Sequence, residues 1–169
     1  MHKQNKLSLR QKFLKGQEFK IMGLAVTFLI ALGMLHTPIS KGESPATAGG
    51  DLKIPKSQVT ATARFYPYKA DGVNMEVIAV KAGDGTIRTA LNTCQVCFDS
   101  GRGFYTQQGD TLVCNNCGNR FKIDQVEKIK FGCNPIPILK ENKKDDGKYI
   151  IIAKEFLAKS KNYFTRWKK

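Results

Sequence analysis

Residues 94–118, CQVCFDSGRGFYTQQGDTLVCNNCG, contain two Cys-x-x-Cys pairs separated by 16 residues. A two-residue gap lets both sulfurs of a pair turn toward one point, and a hairpin between the pairs brings the two points together. The pattern predicts a four-thiolate metal or cluster site at Cys94, Cys97, Cys114 and Cys117. Thiolates suit Zn²⁺ and iron–sulfur clusters alike, so the spacing leaves both cofactors open.

Two other uses of paired cysteines stay open. In an oxidising compartment four cysteines can form disulfides, and a single Cys-x-x-Cys can be a redox-active dithiol. Neither use accounts for the duplicated pair. A thioredoxin-like protein would also need a βαβ pattern, which the sequence lacks.

Residues 58–153 are predicted to form a small, mainly antiparallel β domain. β-branched and aromatic runs are interrupted by Asp71-Gly72 and by glycines at 83 and 85, which are hairpin signals. No helix-length segment separates the runs, which argues against a parallel sheet. The expected strands are 59–69, 73–81, 86–92, 111–114, 119–123 and 148–153.

The amino-terminal third has three parts. A basic lead at 1–20 carries six Lys/Arg against one acidic residue, and an apolar run follows at 21–39. At 1.5 Å per residue this run reaches about 28 Å, just short of the hydrocarbon thickness of a bilayer. It is predicted to be a transmembrane anchor, with a cleaved signal as the alternative. The basic lead then stays in the cytoplasm and the β domain lies outside it. Residues 40–57 are rich in small residues and are predicted to be a flexible linker.

Residues 154–169 are predicted to form a basic amphipathic helix. Phe156, Leu157, Phe164 and Trp167 share one helical stripe, with Lys and Arg opposite. The stripe either docks on the sheet or rests on the membrane.

The formal net charge is +14, concentrated at the two ends of the chain. No nucleic-acid motif accompanies the charge, and anionic lipid explains basic ends beside an apolar span more simply. No Ser/His/Asp set, catalytic carboxylate pair or nucleotide loop is present, so the chain is not expected to be an independent enzyme.

The cysteine loops resemble those of a Rieske domain, in which two loops of a small β domain grip a [2Fe–2S] cluster and a proline-containing loop shields it. Residues 114–121, CNNCGNRF, carry the second-loop resemblance, and 132–137, GCNPIP, the shielding loop. Rieske loops each pair one Cys with one His, whereas all four positions here are cysteine. The histidine-linked proton chemistry is therefore not carried over, and all-thiolate ligation should lower the potential toward the plant-type ferredoxin range, about −400 mV.

A closer resemblance is to the FtrD-like family of membrane iron–sulfur containing proteins. It spans residues 60–153 and rests on the runs RFYPY, LNTCQVCF, GDTLVCNNCGNRF and GCNPIP. The resemblance implies a domain that follows membrane spans, accompanies bacterial iron transport and handles electrons. It implies an iron–sulfur cofactor, with [2Fe–2S] favoured by a two-loop site, and a metal permease or redox protein as partner.

The fifth cysteine, Cys133, lies in a stiff turn with two prolines, where we expect no core strand. Without the family resemblance, Cys133 is expected to be a small, buried, apolar side chain. The resemblance implies a place near the site, as an additional ligand, a bridge to a second metal or a disulfide partner. Arg120 and Phe121 follow the second pair and are expected to surround the centre, where hydrogen bonds and charge tune a cluster's potential.

The sequence, together with this family resemblance, predicts a single-pass, membrane-anchored, extracytoplasmic protein; the resemblance implies an iron–sulfur centre that transfers electrons in connection with iron transport. The alternative is a zinc-ribbon or metal-delivery module without a redox role, because CNNCG is typical of a zinc-ribbon knuckle.

Overall fold

The computed structural model describes residues 47–169, and the predicted basic lead and transmembrane anchor lie outside the described residues. The described part is mainly β, as predicted. The strands are β1 Thr47–Ala48, β2 Leu52–Pro55, β3 Arg64–Ala70, β4 Val73–Lys81, β5 Ile87–Cys94, β6 Tyr105–Gln108, β7 Thr111–Cys114, β8 Arg120–Lys122, β9 Pro135–Pro137, β10 Lys143–Asp145 and β11 Tyr149–Ile152. One α-helix, α1, spans Lys154–Ser160, and short 3₁₀ turns cover Lys56–Gln58, Ile123–Gln125, Lys140–Asn142 and Lys161–Phe164.

A five-stranded sheet in the order β1-β3-β4-β5-β9 forms the centre of the domain. Its ladders are antiparallel except for the two-residue β1, which runs parallel to β3. The β3–β4 hairpin closes at Asp71-Gly72, where both residues have positive φ, 46° and 85°. This is the geometry that favours Asp-Gly in two-residue hairpins, so the sequence signal is confirmed.

The central sheet is buried on both faces. Val77 and Leu91 pack toward β2, β11 and α1, whereas Ile78 and Ala90 pack in a second cluster with β7 and the cysteines. Alternate residues of one strand face opposite sides, so a strand buried on both faces is apolar throughout. This explains the run VIAV at 77–80, which does not alternate with polar residues.

Two three-stranded sheets cover these faces, in the orders β10-β11-β2 and β6-β7-β8. Leu52 and Ile54 of β2 are buried and pair with β11. The flexible-linker prediction is therefore wrong over Leu52–Pro55, because two alternate apolar side chains there close one edge of the core.

The carboxyl-terminal segment docks on the core rather than forming one helix over 154–169. Helix α1 ends at Ser160 and a 3₁₀ turn follows. Leu157, Phe164 and Trp167 are buried in the cluster that the central sheet forms with β2. Burying such a side chain contributes about 1.5–3 kcal/mol to the stability of the fold. The apolar stripe therefore docks on the sheet, which is the first of the two predicted arrangements.

Within residues 47–169, no helix has the length and hydropathy that a membrane crossing requires.

Candidate metal centre

The first cysteine loop leaves the end of β5. Cys94 is the last residue of that strand, and its N–H donates to the Gly103 carbonyl at 2.7 Å. Ser100 N–H donates to the Cys97 carbonyl at 3.1 Å and closes the turn. A Cβ on Gly103 would lie 2.1 Å from the Cys97 carbonyl oxygen, so only glycine lets the chain return this close to the loop.

The second cysteine loop leaves the end of β7. Cys114 N–H donates to the Asn119 carbonyl at 3.0 Å, and Gly118 N–H donates to the Cys114 carbonyl at 2.9 Å. Gly118 has a φ of +73°, which glycine adopts without steric cost. Asn115 N–H donates to the Phe104 carbonyl at 2.8 Å, which ties the second loop to the first.

A third loop carries Cys133 to the same place. Asn119 Nδ2 donates to the Cys133 carbonyl at 2.6 Å. Gln95 N–H donates to the Asn134 carbonyl at 3.1 Å, and Pro135 of β9 pairs with Cys94. Cys133 itself lies outside any strand, and the two prolines lie in the short β9 that follows it, so no core strand forms here, as expected. Proline is tolerated at the edge of a sheet, and β9 is the edge strand beside β5.

All five cysteines of the chain therefore converge, and all are free thiols. The sulfurs of Cys94, Cys97, Cys114 and Cys133 lie within 4.8 Å of one another. The Cys133 Sγ is 3.3 Å from that of Cys94, 3.5 Å from that of Cys97 and 2.8 Å from that of Cys117. The two Cys-x-x-Cys pairs therefore meet as predicted, and the thiol of Cys133 lies with them.

The pKa values of the thiols follow their burial and hydrogen bonds. Burial raises the pKa of Cys114 to about 12 and also raises those of Cys97 and Cys133. A hydrogen bond from Cys133 lowers the pKa of the exposed Cys117 to about 7. Burial opposes ionisation of Cys94, but the donor groups around its sulfur, led by the nearby Tyr105 hydroxyl, outweigh burial and lower its pKa. A bound cation would favour the thiolate form of each ligand.

Tyr105 supplies a buried polar group beside these sulfurs. Its side chain is 1% exposed, and its hydroxyl has no hydrogen-bond partner of normal geometry among the described protein atoms. Burial, and then the neighbouring Cys94, raise its pKa, so the hydroxyl stays a donor. Buried hydroxyls are normally paired. A thiolate or sulfide acceptor would satisfy this one, and it fits a sulfur-rich anionic centre.

The donor set thus fits a thiolate-bound metal or iron–sulfur group. Buried thiols from three loops meet at one point, and the chain's two histidines, His2 and His36, lie outside the described residues. Structural thiolate sites of this kind hold Zn²⁺ or iron–sulfur groups.

The other residues expected near the centre differ in their placement. Phe121 is buried in the same cluster as the cysteines. The Arg120 guanidinium instead donates to Gln108 Oε1 at 2.8 Å and to Thr111 Oγ1 at 3.0 Å, and so braces β6 and β7.

Gly103 and Asn119 were not among the residues predicted to form the site. The glycine-rich loop signalled a turn, but its contact with the Cys97 backbone depends on the folded loop. The side-chain amide of Asn119 has no characteristic spacing from the cysteines, so no pattern in the sequence could have identified it.

A sequence model of the family described as "Membrane iron-sulfur containing protein FtrD-like" matches residues 59–164, which confirms the predicted resemblance. No curated protein matches the chain at a significant level. Among solved structures, the chain is similar to the quaternary ammonium Rieske monooxygenase CntA, in one complex with an inhibitor and in another with its substrate L-carnitine. The TM-scores are 0.42 and 0.41, each at 14% identity, and each alignment covers 64% of this chain and 32% of the monooxygenase chain. This chain therefore spans about a third of the length of the monooxygenase.

Proposed function

Because this chain belongs to the FtrD-like family of membrane iron–sulfur containing proteins, we propose that its β domain binds an iron–sulfur cluster, [2Fe–2S], and carries single electrons. The observation that supports this most is the meeting of free thiols from three separate loops at one place, in a chain of an iron–sulfur family. A bound cluster supplies reversible one-electron oxidation and reduction, while the protein sets its potential and access.

The residues of the chain hold and shield such a centre. Cys94, Cys97 and Cys114 are buried, so water reaches their sulfurs poorly. The Tyr105 hydroxyl provides a hydrogen-bond donor at the same place. Burial of the ligands and hydrogen bonds to sulfur are the means by which proteins adjust a cluster's potential.

One edge of the centre is suited to a partner protein. Val96, Ile129 and Phe131 are exposed and lie on the loops that carry Cys94, Cys97 and Cys133, with Phe131 at 86% exposure. Lys128 and Lys130 are exposed and alternate with Ile129 and Phe131 along the chain. Apolar groups with a charged rim are the usual composition of a transient protein interface. We propose a metal permease or a redox protein as the partner.

The setting of this function is the membrane. The family is one of membrane proteins. The apolar run at 21–39 and the basic lead before it favour a single span with the β domain on the extracytoplasmic side. In this setting the electron transfer serves uptake of iron or a similar metal.

The test is the iron and acid-labile sulfide content of the anaerobically purified chain, with its absorption before and after dithionite. We expect stoichiometric iron and sulfide, and visible bands that bleach on reduction. Cys94→Ser should lose both, whereas Val96→Ala, an exposed position in the same loop, should keep both. A colourless wild-type protein without sulfide would refute the proposal.

A second candidate is a structural zinc site without a redox role. The observation that favours it is the compactness of the thiols. A Zn–S bond of about 2.3 Å gives sulfur–sulfur separations of about 3.8 Å around one tetrahedral ion, close to those within the cluster. One equivalent of zinc in place of iron and sulfide would select this candidate.

A further inference from the structure

The Cys-x-x-Cys pattern and the structure disagree about which four thiols form the most compact set. The pattern pairs Cys114 with Cys117. In the structure the set whose sulfurs all lie within 4.8 Å of one another contains Cys133. Cys117 is outside this set, and its sulfur lies 2.8 Å from that of Cys133. Cys133 lies against both members of the first pair, at 3.3 Å and 3.5 Å.

Burial separates the same two candidates. Cys117 is exposed, whereas Cys133 is half-buried and packs against the cluster that contains the other three thiols. A ligand on the solvent side protects a metal centre less well than one that is packed, because water and small thiols can replace it.

The backbone around Cys133 is fixed to both cysteine loops. Its carbonyl accepts from Asn119 of the second loop at 2.6 Å. The next residue, Asn134, accepts from the Gln95 N–H of the first loop at 3.1 Å. A ligand held by hydrogen bonds of this kind is positioned before the metal arrives.

We propose that Cys94, Cys97, Cys114 and Cys133 hold the resident metal centre and that Cys117 remains an accessible thiol at its rim. The inference deepens the proposed function and rests on it only in requiring a thiolate-bound metal at this place. Cys117 is then a site of covalent thiol modification that leaves the centre intact. Alkylation by iodoacetamide forms a carbon–sulfur bond at the Cys117 thiolate and releases iodide.

The first experiment uses the full wild-type chain, purified anaerobically with its metal and treated with iodoacetamide. Peptide mass spectrometry then gives the labelled fraction of each cysteine. We expect Cys117 to be labelled and the other four to be at least tenfold less labelled, with metal content and absorption unchanged. Removal of the metal should raise the labelling of the half-buried Cys133, whereas Cys94 and Cys114 stay protected by burial.

The second experiment compares two serine variants of the full chain. Cys117→Ser should keep the wild-type metal-to-protein ratio and absorption. Cys133→Ser should lose at least four-fifths of the metal. Far-UV circular dichroism checks that both variants fold, and the wild-type labelling pattern decides the assignment if either does not.

The outcomes separate this inference from the proposed function. Zinc instead of iron and sulfide in the wild-type chain refutes the electron-carrier role, but label confined to Cys117 still supports the ligand assignment. If the wild-type chain contains iron and sulfide but Cys117 is protected from iodoacetamide, the ligand assignment is wrong and the proposed function still stands. This holds whether or not Cys133 is labelled. Equal labelling of all five thiols in the protein as purified overturns both.

Discussion

Replacing Gly103 by alanine tests how the first cysteine loop is built. The added methyl group would lie 2.1 Å from the Cys97 carbonyl oxygen, 2.6 Å from the Cys97 carbonyl carbon and 2.8 Å from Phe98 Cα. All three atoms belong to the backbone, so no side chain can rotate away. The loop must move by about 1 Å, because carbon atoms rarely approach closer than about 3.4 Å without repulsion.

Two costs add up in this variant. Overpacking of a tight site costs about 1–3 kcal/mol. The hydrogen bond from Cys94 N–H to the Gly103 carbonyl, 2.7 Å long, is strained or lost, at about 1 kcal/mol. We expect the free energy of unfolding to fall by about 2–4 kcal/mol, together with a loss of bound metal as Cys94 and Cys97 shift apart.

Urea unfolding of residues 47–169, followed by the fluorescence of Trp167, measures this change, since Trp167 is the only tryptophan and is buried. Gly50→Ala is the matched control, because a Cβ there meets nothing within 4 Å and should change stability by less than about 0.5 kcal/mol. If Gly103→Ala unfolds at the same urea concentration as the wild-type protein and keeps its metal, the close approach does not constrain the loop.

Three further predictions concern other parts of the domain. Lys143→Met leaves the half-buried Glu127 carboxylate without its cation and should lower the free energy of unfolding in urea by about 2–4 kcal/mol. Lys144→Met, at the exposed neighbouring position, should leave that free energy almost unchanged. Equal effects of the two substitutions would contradict a stabilising ion pair. A hydrogen bond from a neighbouring thiol lowers the pKa of Cys117 to about 7, so its alkylation in the reduced, metal-free protein should rise with pH through about 7 and then level off. A rise centred on 9, the ordinary value, would refute this. Trp167→Ala removes a buried ring that contacts two phenylalanines and should lower the stability of the fold, followed by thermal circular dichroism, by about 3–5 kcal/mol. An unchanged melting temperature would show that the carboxyl-terminal segment does not dock on the core.

The strands that follow local rules could be predicted from the sequence. The hairpin of β3 and β4 is specified by Asp71-Gly72 and by the β-branched and aromatic residues on either side. Strands β2 and β9 could not be predicted in this way. Each is short and contains proline, and each forms because a distant strand, β11 or β5, offers it an edge. That information lies in the tertiary structure, not in local propensity.

The same limit applies to the metal centre. The spacing of Cys94, Cys97, Cys114 and Cys117 predicts that two loops meet, and they do. It gives no position for Cys133, because the 15 residues that separate it from the second pair follow no ligand-spacing rule. The pairing of β9 with β5 and the amide of Asn119 bring this fifth thiol to the other four.

Iron K-edge X-ray absorption of the anaerobically purified chain shows whether these thiols share one iron-containing centre. We expect a first coordination shell of sulfur alone, with iron–iron scattering from a cluster, and loss of the signal in Cys94→Ser. A first shell of nitrogen or oxygen, or zinc at the site in place of iron, would contradict this expectation.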